Sequence, residues 1–446
     1  MRLRLLVPRR RGRAGLGSLI GRRLLAGALL PAALLICSCG SSAPSATTAR
    51  TSIRAPAQRG PAFGLTEDNA DLLWNPTAPS APDDQPALAL ARERLTALHP
   101  TYLRLLIDWA KLQPSADRRP ALEAATSGCA RTVGPCQTYR GIAQELAAIG
   151  SQQRVARAHG ESAFEVVLNL FGTPSWAARA PSGCESAGTQ PFARPISAAG
   201  LAGYRQLIGE LLALGVREGV ALSWWSPWNE PNNAQFVSPQ RDACSPSSPS
   251  LAPAVYAQLA TAMADELAAD GGTHHLLLGE LAGYAEDSPH RTSVASFVAG
   301  LPASAICLGE TWSIHLYADY GVDASSAQPL AALERALDAR GGCGARARIW
   351  ITEAGVGAPH AGDRREATTA SEHDGCQALA TQLAGWLADD RVEAVMQYTF
   401  REDPAYPVGL LSADLSHVYP AYGLWLQYTR ARAQGRALAP PALLCA

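Results

Sequence analysis

The first 60 residues contain no aspartate or glutamate. They hold eleven arginines instead, and eight of these precede an apolar run, Leu24–Ile36, that only Gly27 and Pro31 interrupt. A basic region followed by 13 mostly apolar residues is too short for a membrane-spanning helix and is typical of a signal peptide. A retained N-terminal membrane anchor is the alternative. We therefore expect the chain to be exported.

The apolar run ends in Ile36-Cys37-Ser38-Cys39-Gly40, which resembles a bacterial lipoprotein cleavage box with Cys39 as the lipidated residue. Residues 1–39 are thus predicted to be a signal peptide, either of lipoprotein type with membrane attachment through Cys39 or of the plain secretory type. Residues 40–60 are rich in Ser, Ala, Thr and Pro and predict a flexible linker. The folded domain is expected to span residues 61–446.

The charge of the mature chain argues against a nucleic-acid partner. Residues 39–446 retain 30 basic and 39 acidic side chains, a net charge of −9. Binding to phosphates requires a basic patch, which this composition does not favour.

No two of the ten cysteines have C-x-x-C spacing, so a zinc site is not indicated. Eight cysteines remain beyond Cys39, an even number that suggests disulfides in an exported protein. Eight cysteines permit about 105 connectivities. The predicted order of strands and loops favours one of them: Cys129–Cys136, Cys184–Cys244, Cys307–Cys343 and Cys376–Cys445.

No glycine-rich nucleotide loop follows the first apolar segment, which disfavours a doubly wound open sheet, the main alternative fold. Short apolar runs instead alternate with longer segments of helical periodicity. The predicted strands are 62–65, 102–108, 164–171, 221–228, 275–280, 311–317, 348–353 and 394–400. The predicted helices are 87–98, 138–159, 198–218, 253–269, 292–301, 327–339, 371–389 and 422–433. This order predicts the α/β class and a single-domain (β/α)8 TIM barrel.

Catalytic groups of such barrels lie at the C-terminal ends of the strands. Two carboxylates stand out among the residues at such positions: Glu230 follows the fourth predicted strand, and Glu353 ends the seventh. Strand alternation places Glu353 on the same face as Ile349 and Ile351, in an inward-facing apolar row. A carboxylate there costs free energy unless it is paired or used.

Several motifs resemble those of clan A glycoside hydrolases, in particular families 5 and 39. They are Asn229-Glu230-Pro231 at the fourth strand, His315-x-Tyr317 at the sixth, Glu353 at the seventh, and Tyr102-Leu103-Arg104-Leu105 with Trp109 at the second. The resemblance covers roughly residues 61–434. Asn-Glu-Pro alone is weakly specific, but all motifs in order at strand ends are strongly specific.

The resemblance implies a retaining glycosidase that cleaves β-linked sugars by double displacement. Glu230 would be the acid/base and Glu353 the nucleophile, with a carbohydrate as substrate and no metal or other cofactor. The alternatives are a transglycosylase, a non-catalytic carbohydrate-binding lipoprotein, and a metal-dependent hydrolase. The last is disfavoured because the strand ends lack H-x-H.

Further substrate-binding residues are expected from the same resemblance. Arg104 and Tyr317 would hydrogen-bond Glu353, His315 would lie beside Tyr317, and Asn229 would contact the sugar 2-hydroxyl. An Arg104–Asp108 structural pair is the alternative for the arginine. The clan's tryptophan at the end of the eighth strand is missing, so Tyr398 or Phe400 would replace it. Tryptophans near strand ends suit sugar stacking, and at least two of them are expected to face the cleft: Trp74, Trp109, Trp176, Trp228 and Trp312.

Overall fold

The computed structural model describes residues 60–73, 85–129, 133–318, 327–357, 365, 368–439 and 444–445. The predicted signal peptide with Cys39, the predicted linker before residue 60, and Trp74 lie outside these residues. Within the described part of the chain, no helix combines the length and apolar character needed to cross a bilayer.

Eight parallel strands close into a barrel, in which each strand pairs with its neighbours in sequence and the last pairs with the first. The strands are β1 (Ala62–Thr66), β2 (Tyr102–Asp108), β3 (Glu165–Phe171), β4 (Trp224–Ser226), β5 (His275–Ala282), β6 (Thr311–Ala318), β7 (Arg348–Val356) and β8 (Val392–Tyr398). The predicted (β/α)8 architecture is confirmed.

A helix follows each strand. The helices are α1 (Pro86–Leu98), α2 (Gly141–Ala158), α3 (Ala198–Glu218), α4 (Ala252–Asp270), α5 (Val294–Gly300), α6 (Ala327–Arg340), α7 (Thr369–Leu387) and α8 (Pro420–Ala433). Local sequence sets their ends. The Ser197 hydroxyl accepts from Gly200 N–H to begin α3, and Gly219 ends it at φ 70°, a left-handed conformation that glycine adopts without strain.

Short elements lie in the connections. They are helical turns at Ala70–Leu72, Trp109–Leu112, Pro191–Ala193, Ala303–Ile306 and Gly342–Ala345, and a small hairpin of Thr126–Ser127 with Thr138–Tyr139. The hairpin corrects the prediction that a helix starts at Thr138. Residues 138 and 139 pair in the hairpin, and α2 starts only at Gly141.

The predicted fourth strand, 221–228, was too long. The observed β4 ends at Ser226, directly before Pro227, which has no N–H to donate to the ladder. The Tyr204 hydroxyl donates to Pro227 O at 2.7 Å, and Asn229 N–H donates to Leu170 O at 2.9 Å. These bonds hold the segment that leads to Glu230 against β3 and α3.

The lower end of the barrel interior is filled by aromatic rings. Trp350 packs between Tyr102 and Trp224, with ring centroids 4.4 and 4.3 Å apart. Because β-strand side chains alternate, Arg104 lies on the same face of β2 as Tyr102, one step further towards the C-terminal end. The aromatic layer therefore closes the site from below.

All four predicted disulfides are confirmed: Cys129–Cys136, Cys184–Cys244, Cys307–Cys343 and Cys376–Cys445. Disulfides of this number are typical of proteins that fold in an oxidising compartment. They agree with export.

Each disulfide is expected to stabilise the fold by an amount that grows with the logarithm of the number of residues in the loop that it closes. Cys376–Cys445 joins residues 69 apart, whereas Cys129–Cys136 joins residues 7 apart. Replacing both cysteines of the long loop by alanine should lower the free energy of unfolding by about 4 kcal/mol, against about 2 kcal/mol for the short loop. Urea titration of the two variants measures the difference, and equal losses would contradict a loop-entropy effect.

Candidate active site

Arg104 is the central side chain of the barrel mouth, and none of it is exposed. Its Nε and Nη2 donate to the two Glu280 oxygens at 3.1 and 3.0 Å, its Nη1 donates to Glu353 Oε1 at 2.8 Å, and its Nη2 also donates to Asn229 Oδ1 at 2.8 Å. Burial by itself would lower the pKa of Arg104, but the carboxylates of Glu280 and Glu353 raise it well above the usual range. The guanidinium is therefore a fixed cation.

Asp108, the alternative partner of Arg104, lies elsewhere. Its side chain accepts from Lys111 N–H and forms an ion pair with Lys111 Nζ at 3.0 Å. The alternative of an Arg104–Asp108 pair is therefore excluded, and the predicted contact of Arg104 with Glu353 is the one observed.

Glu280 is a site residue that the sequence analysis did not identify as one. It lies in a bulge of β5, where the register with β6 shifts, and both Gly279 (φ 96°) and Glu280 (φ 53°) are left-handed. A Cβ on Gly279 would lie 2.6 Å from Ser313 O, so only glycine fits there. Glu280 N–H donates to Ser313 Oγ at 2.8 Å. The bulge turns the carboxylate into the barrel.

The Glu280 carboxylate is fully buried and is held by three side chains. Besides Arg104, the Thr352 hydroxyl and His315 Nε2 donate to its Oε2 at 2.6 and 2.8 Å. Burial alone would raise the pKa of Glu280, but the Arg104 charge and the hydrogen bond from His315 lower it to about 2. A Gly-Glu pair at a predicted strand end was the one sequence signal for it.

Glu353 lies on β7, opposite His315 in the register with β6. Its Oε1 accepts from Arg104, and its Oε2 accepts from the Tyr317 hydroxyl at 2.5 Å. A register shift beside it places Thr352 and Glu353 in contact with the same cluster, which strict alternation would not allow. Burial and then the Glu353 charge raise the pKa of Tyr317, so the tyrosine remains a donor.

Glu230 follows β4 with a left-handed backbone, φ 36°. Its side chain is 15% exposed, against 7% for Glu353. Its Oε1 contacts His315 Nδ1 at 2.9 Å, and its Oε2 accepts from Asn233 Nδ2 at 2.7 Å. Left-handed non-glycine residues are uncommon and cluster at functional sites.

His315 bridges three carboxylates. Its Nδ1 lies 2.9 Å from Glu230 Oε1 and 3.4 Å from Glu353 Oε2, and its Nε2 faces Glu280. Burial alone would lower the pKa of His315, but the charges of Glu353 and Glu230 and the hydrogen bonds to Glu230 and Glu280 raise it to about 10. At neutral pH the ring is therefore an imidazolium, with both nitrogens donating.

The two predicted catalytic carboxylates meet at the barrel mouth. One oxygen of Glu230, one of Glu353 and a nitrogen of His315 lie within 4.8 Å of one another. Carboxyl groups of retaining glycosidases are about 5–5.5 Å apart, and those of inverting enzymes are about 6.5–9.5 Å apart. The 4.8 Å bound joins the nearest oxygens of the two carboxyl groups and fits the shorter of these two separations.

The predicted aromatic residues divide into buried and accessible rings. Trp109 and Phe400 are completely buried in the core, so their expected contact with a sugar is not supported, and Trp228 and Trp312 are also buried. Trp176 is partly exposed, and its Nε1 donates to Gln113 O. Trp74 lies outside the described residues, so the expectation that at least two of the five tryptophans face the cleft stays a prediction.

A cluster of three tyrosine rings lies beside Glu353. Tyr317, Tyr398 and Tyr406 pack edge to face, with centroids 4.9–6.3 Å apart. The Tyr398 hydroxyl lies 3.4 Å from Asp68 Oδ2. Burial and the nearby charges of Asp403 and Glu353 raise the pKa of Asp68 to about 6. Neither Asp68 nor Tyr406 was predicted, because both lie in loops after the strands.

Comparisons with known proteins identify a fold but no family. No protein-family model and no curated protein sequence matches the chain. SrfJ from Salmonella typhimurium is similar over 86% of this chain and 76% of its own, with 10% identity and a TM-score of 0.51. A conserved exported protein from Bacteroides fragilis is similar over 84% and 75%, with 13% identity and a TM-score of 0.50. At such identities the likeness is one of fold.

The solved structures of similar fold include glycoside hydrolases. One is a family 5 subfamily 18 protein from Streptomyces cattleya, with 18% identity over 86% of this chain and 82% of that chain and a TM-score of 0.48.

Removing the buried cation should destabilise the protein strongly. Among the described residues, Arg104→Ala leaves Glu280 and Glu353 with His315 as their one charged partner, which they share with Glu230, and a loss of about 3–5 kcal/mol is expected at pH 7. The lowered pKa of Glu280 contributes stability above its unfolded pKa of about 4.3, which is lost as the pH falls towards about 2. The difference from wild type, measured by urea titration, should therefore narrow below about pH 4.3.

Arg217→Ala is the matched control. Arg217 pairs with Glu123 with both side chains more than half exposed. Its removal should cost less than about 1 kcal/mol. Similar losses in both variants, or a loss in Arg104→Ala that does not change with pH, would contradict the charge-based explanation.

Proposed function

We propose that the protein is an exported retaining glycosidase that hydrolyses β-linked O-glycosidic bonds by double displacement. The approach of Glu230 and Glu353 to within 4.8 Å at the mouth of the barrel carries this proposal. The β-anomer is inferred from the resemblance to clan A. The substrate is a carbohydrate.

The surroundings of Glu353 suit a nucleophile. Arg104 and Tyr317 each donate to one of its oxygens, and both contacts favour the ionised carboxylate that must attack the anomeric carbon. When the covalent glycosyl-enzyme forms, one oxygen becomes the ester oxygen. The remaining donors then stabilise the carboxylate as it leaves in the second step.

The surroundings of Glu230 suit an acid/base. Its carboxyl is more exposed than that of Glu353 and contacts His315, a titratable group, rather than the fixed cation Arg104. In the first step Glu230 would protonate the leaving glycosidic oxygen. In the second step it would take a proton from the attacking water.

A metal centre is the second candidate, because Glu230, His315 and Glu353 have the mutual spacing of metal ligands. The hydrogen bonds argue against it. Both Glu353 oxygens accept from Arg104 and Tyr317, and Glu230 Oε2 accepts from Asn233, so these carboxylates already have protein donors. Activity that a chelator abolishes and a divalent cation restores would favour the metal centre over the proposed mechanism.

The two glutamates should respond differently to substitution. Glu230→Ala should lower the rate on an alkyl β-glycoside by about 10²–10⁴-fold, because the poor leaving group needs a proton. The first step on a dinitrophenyl glycoside should be much less affected, and azide should restore turnover. Glu353→Ala should inactivate the enzyme on both substrates. Steady-state rates on matched glycosides measure these effects.

Glu161→Ala is the control, since Glu161 is exposed beyond the end of α2 and should leave both rates unchanged. Equal losses on both glycosides for Glu230→Ala, with no response to azide, would refute its role as acid/base.

On export, Cys39 would be lipidated and residues 1–38 would then be removed. The four disulfides support folding in an oxidising compartment. The mass of the mature N-terminal peptide tests the anchor: a chain that keeps residues 1–38, or an unmodified Cys39, would contradict it.

A further inference from the structure

Glu280 contacts neither of the two predicted catalytic carboxylates, yet it contacts groups that touch both. It binds Arg104, which donates to Glu353, and His315, which contacts Glu230. Glu280 is fully buried, so its carboxylate has no exposed surface with which to contact a substrate. A buried carboxylate is costly unless it is fully hydrogen-bonded, and this one accepts from three side chains. Its place in the bulge points to a role exerted through its neighbours.

The contact with Glu280 fixes which nitrogen of His315 can release a proton. Nε2–H donates to an ionised carboxylate that Arg104 also holds, so that proton stays in place. Nδ1 faces Glu230 at 2.9 Å. Any proton that His315 exchanges therefore leaves from Nδ1 towards Glu230.

The hydrogen bonds of Glu230 locate its proton when no substrate is bound. Oε2 accepts from Asn233 Nδ2, and the orientation of that amide is set because Asn233 Oδ1 accepts from Gln235 N–H at 3.0 Å. Glu230 Oε1 lies 2.9 Å from His315 Nδ1, so one proton is shared between these two atoms. The contact of Nε2 with the ionised Glu280 and the raised pKa of His315 favour the imidazole as the place of that proton in this state.

We propose that Glu280 is a positioning residue that makes His315 the proton reservoir of Glu230. In the first step the Nδ1 proton moves to Glu230 Oε1, and Glu230 passes it to the glycosidic oxygen as that bond to the anomeric carbon breaks. His315 is then neutral, with its remaining proton on Nε2. In the second step the water oxygen bonds to the anomeric carbon and Glu230 takes a proton from that water. Glu230 then passes a proton back to His315 Nδ1. This inference rests on the proposed function.

The charged groups around His315 come from three barrel strands and the segment after β4. Glu280 of β5 and Glu353 of β7 face the ring directly, as does Glu230, while Arg104 of β2 lies behind Glu280. Two cations thus face three carboxylates. The cluster holds one transferable proton, and its titration belongs to the Glu230–His315 pair rather than to either residue.

Glu280→Gln tests the reservoir through the pH profile of kcat/KM. Removing the Glu280 charge destabilises the imidazolium, so the alkaline limb should shift to lower pH by at least about 1 unit. Glu280→Asp keeps the charge and should restore the limb towards the wild-type position. Thr352→Val removes one donor from Glu280 without changing any charge, and its limb should stay in place. The substrate is an alkyl β-glycoside, because its cleavage requires proton delivery.

A purely structural Glu280 would give a different result. Glu280→Gln would then lower kcat without moving either limb of the pH profile of kcat/KM. Thr352→Val would show the same pattern. That outcome in a folded variant, shown by cooperative thermal unfolding, overturns the proposal.

Nitrogen-15 NMR of the wild-type imidazoles decides the matter even where Glu280→Gln does not fold. Both ring nitrogens of His315, identified as the signals missing in His315→Gln, should be protonated at pH 7, and a single protonated nitrogen overturns the proposal. This measurement needs no turnover. A protein that cleaves no glycoside yet keeps a doubly protonated His315 fails the proposed function alone, whereas an active enzyme with a neutral His315 fails this inference alone.

Discussion

The buried ion pair between Arg104 and Glu280 is the interaction on which the rest of the site depends. Neither side chain has any exposed surface, and an aromatic layer built around Trp350 closes the barrel beneath them. Removing two charges from water costs desolvation free energy. Their mutual attraction offsets this cost only when their geometry is good and their other hydrogen bonds are satisfied. Here the guanidinium holds both Glu280 oxygens and still reaches Glu353. The pair therefore anchors Glu353, and the hydrogen-bonding groups of both partners are used within the cluster.

The same pair makes two similar carboxylates chemically different. Glu353 accepts a hydrogen bond from Arg104, which stays protonated, whereas Glu230 contacts His315, which can lose a proton. A fixed positive charge favours a nucleophile that stays ionised, and a titratable partner favours a group that must gain and lose a proton. Such divergence between two nearby carboxyl groups is the usual basis of acid/base assignment.

Much of this arrangement could be predicted from the sequence because it follows from periodicity. Alternating apolar runs and helical segments gave the eight-stranded barrel, and the order of its loops gave the disulfide partners, such as Cys184 with Cys244. The resemblance to clan A placed Arg104 beside Glu353, and strand parity placed His315 beside Tyr317. Regular geometry maps sequence spacing onto space, so these inferences needed no knowledge of packing.

The parts that could not be predicted are those where the geometry is irregular. The bulge at Gly279 turns Glu280 inward, and the register shift beside Thr352 brings a second β7 side chain into the cluster. A pattern of period two cannot show either feature. The sequence pattern also did not show which aromatic side chains are buried. Trp109 packs in the core, whereas Tyr406 lies in a loop and packs against Tyr317 in the site.

Trapping of the glycosyl-enzyme tests the central claim most directly. The protein is incubated with a panel of activated 2-deoxy-2-fluoro-β-glycosides, and the intact mass and the masses of proteolytic peptides are recorded. The account predicts one covalent sugar, carried by the peptide that contains Glu353 and absent from Glu353→Gln. An adduct on another residue, or no adduct from the fluorinated form of a glycoside that the protein hydrolyses, would contradict it.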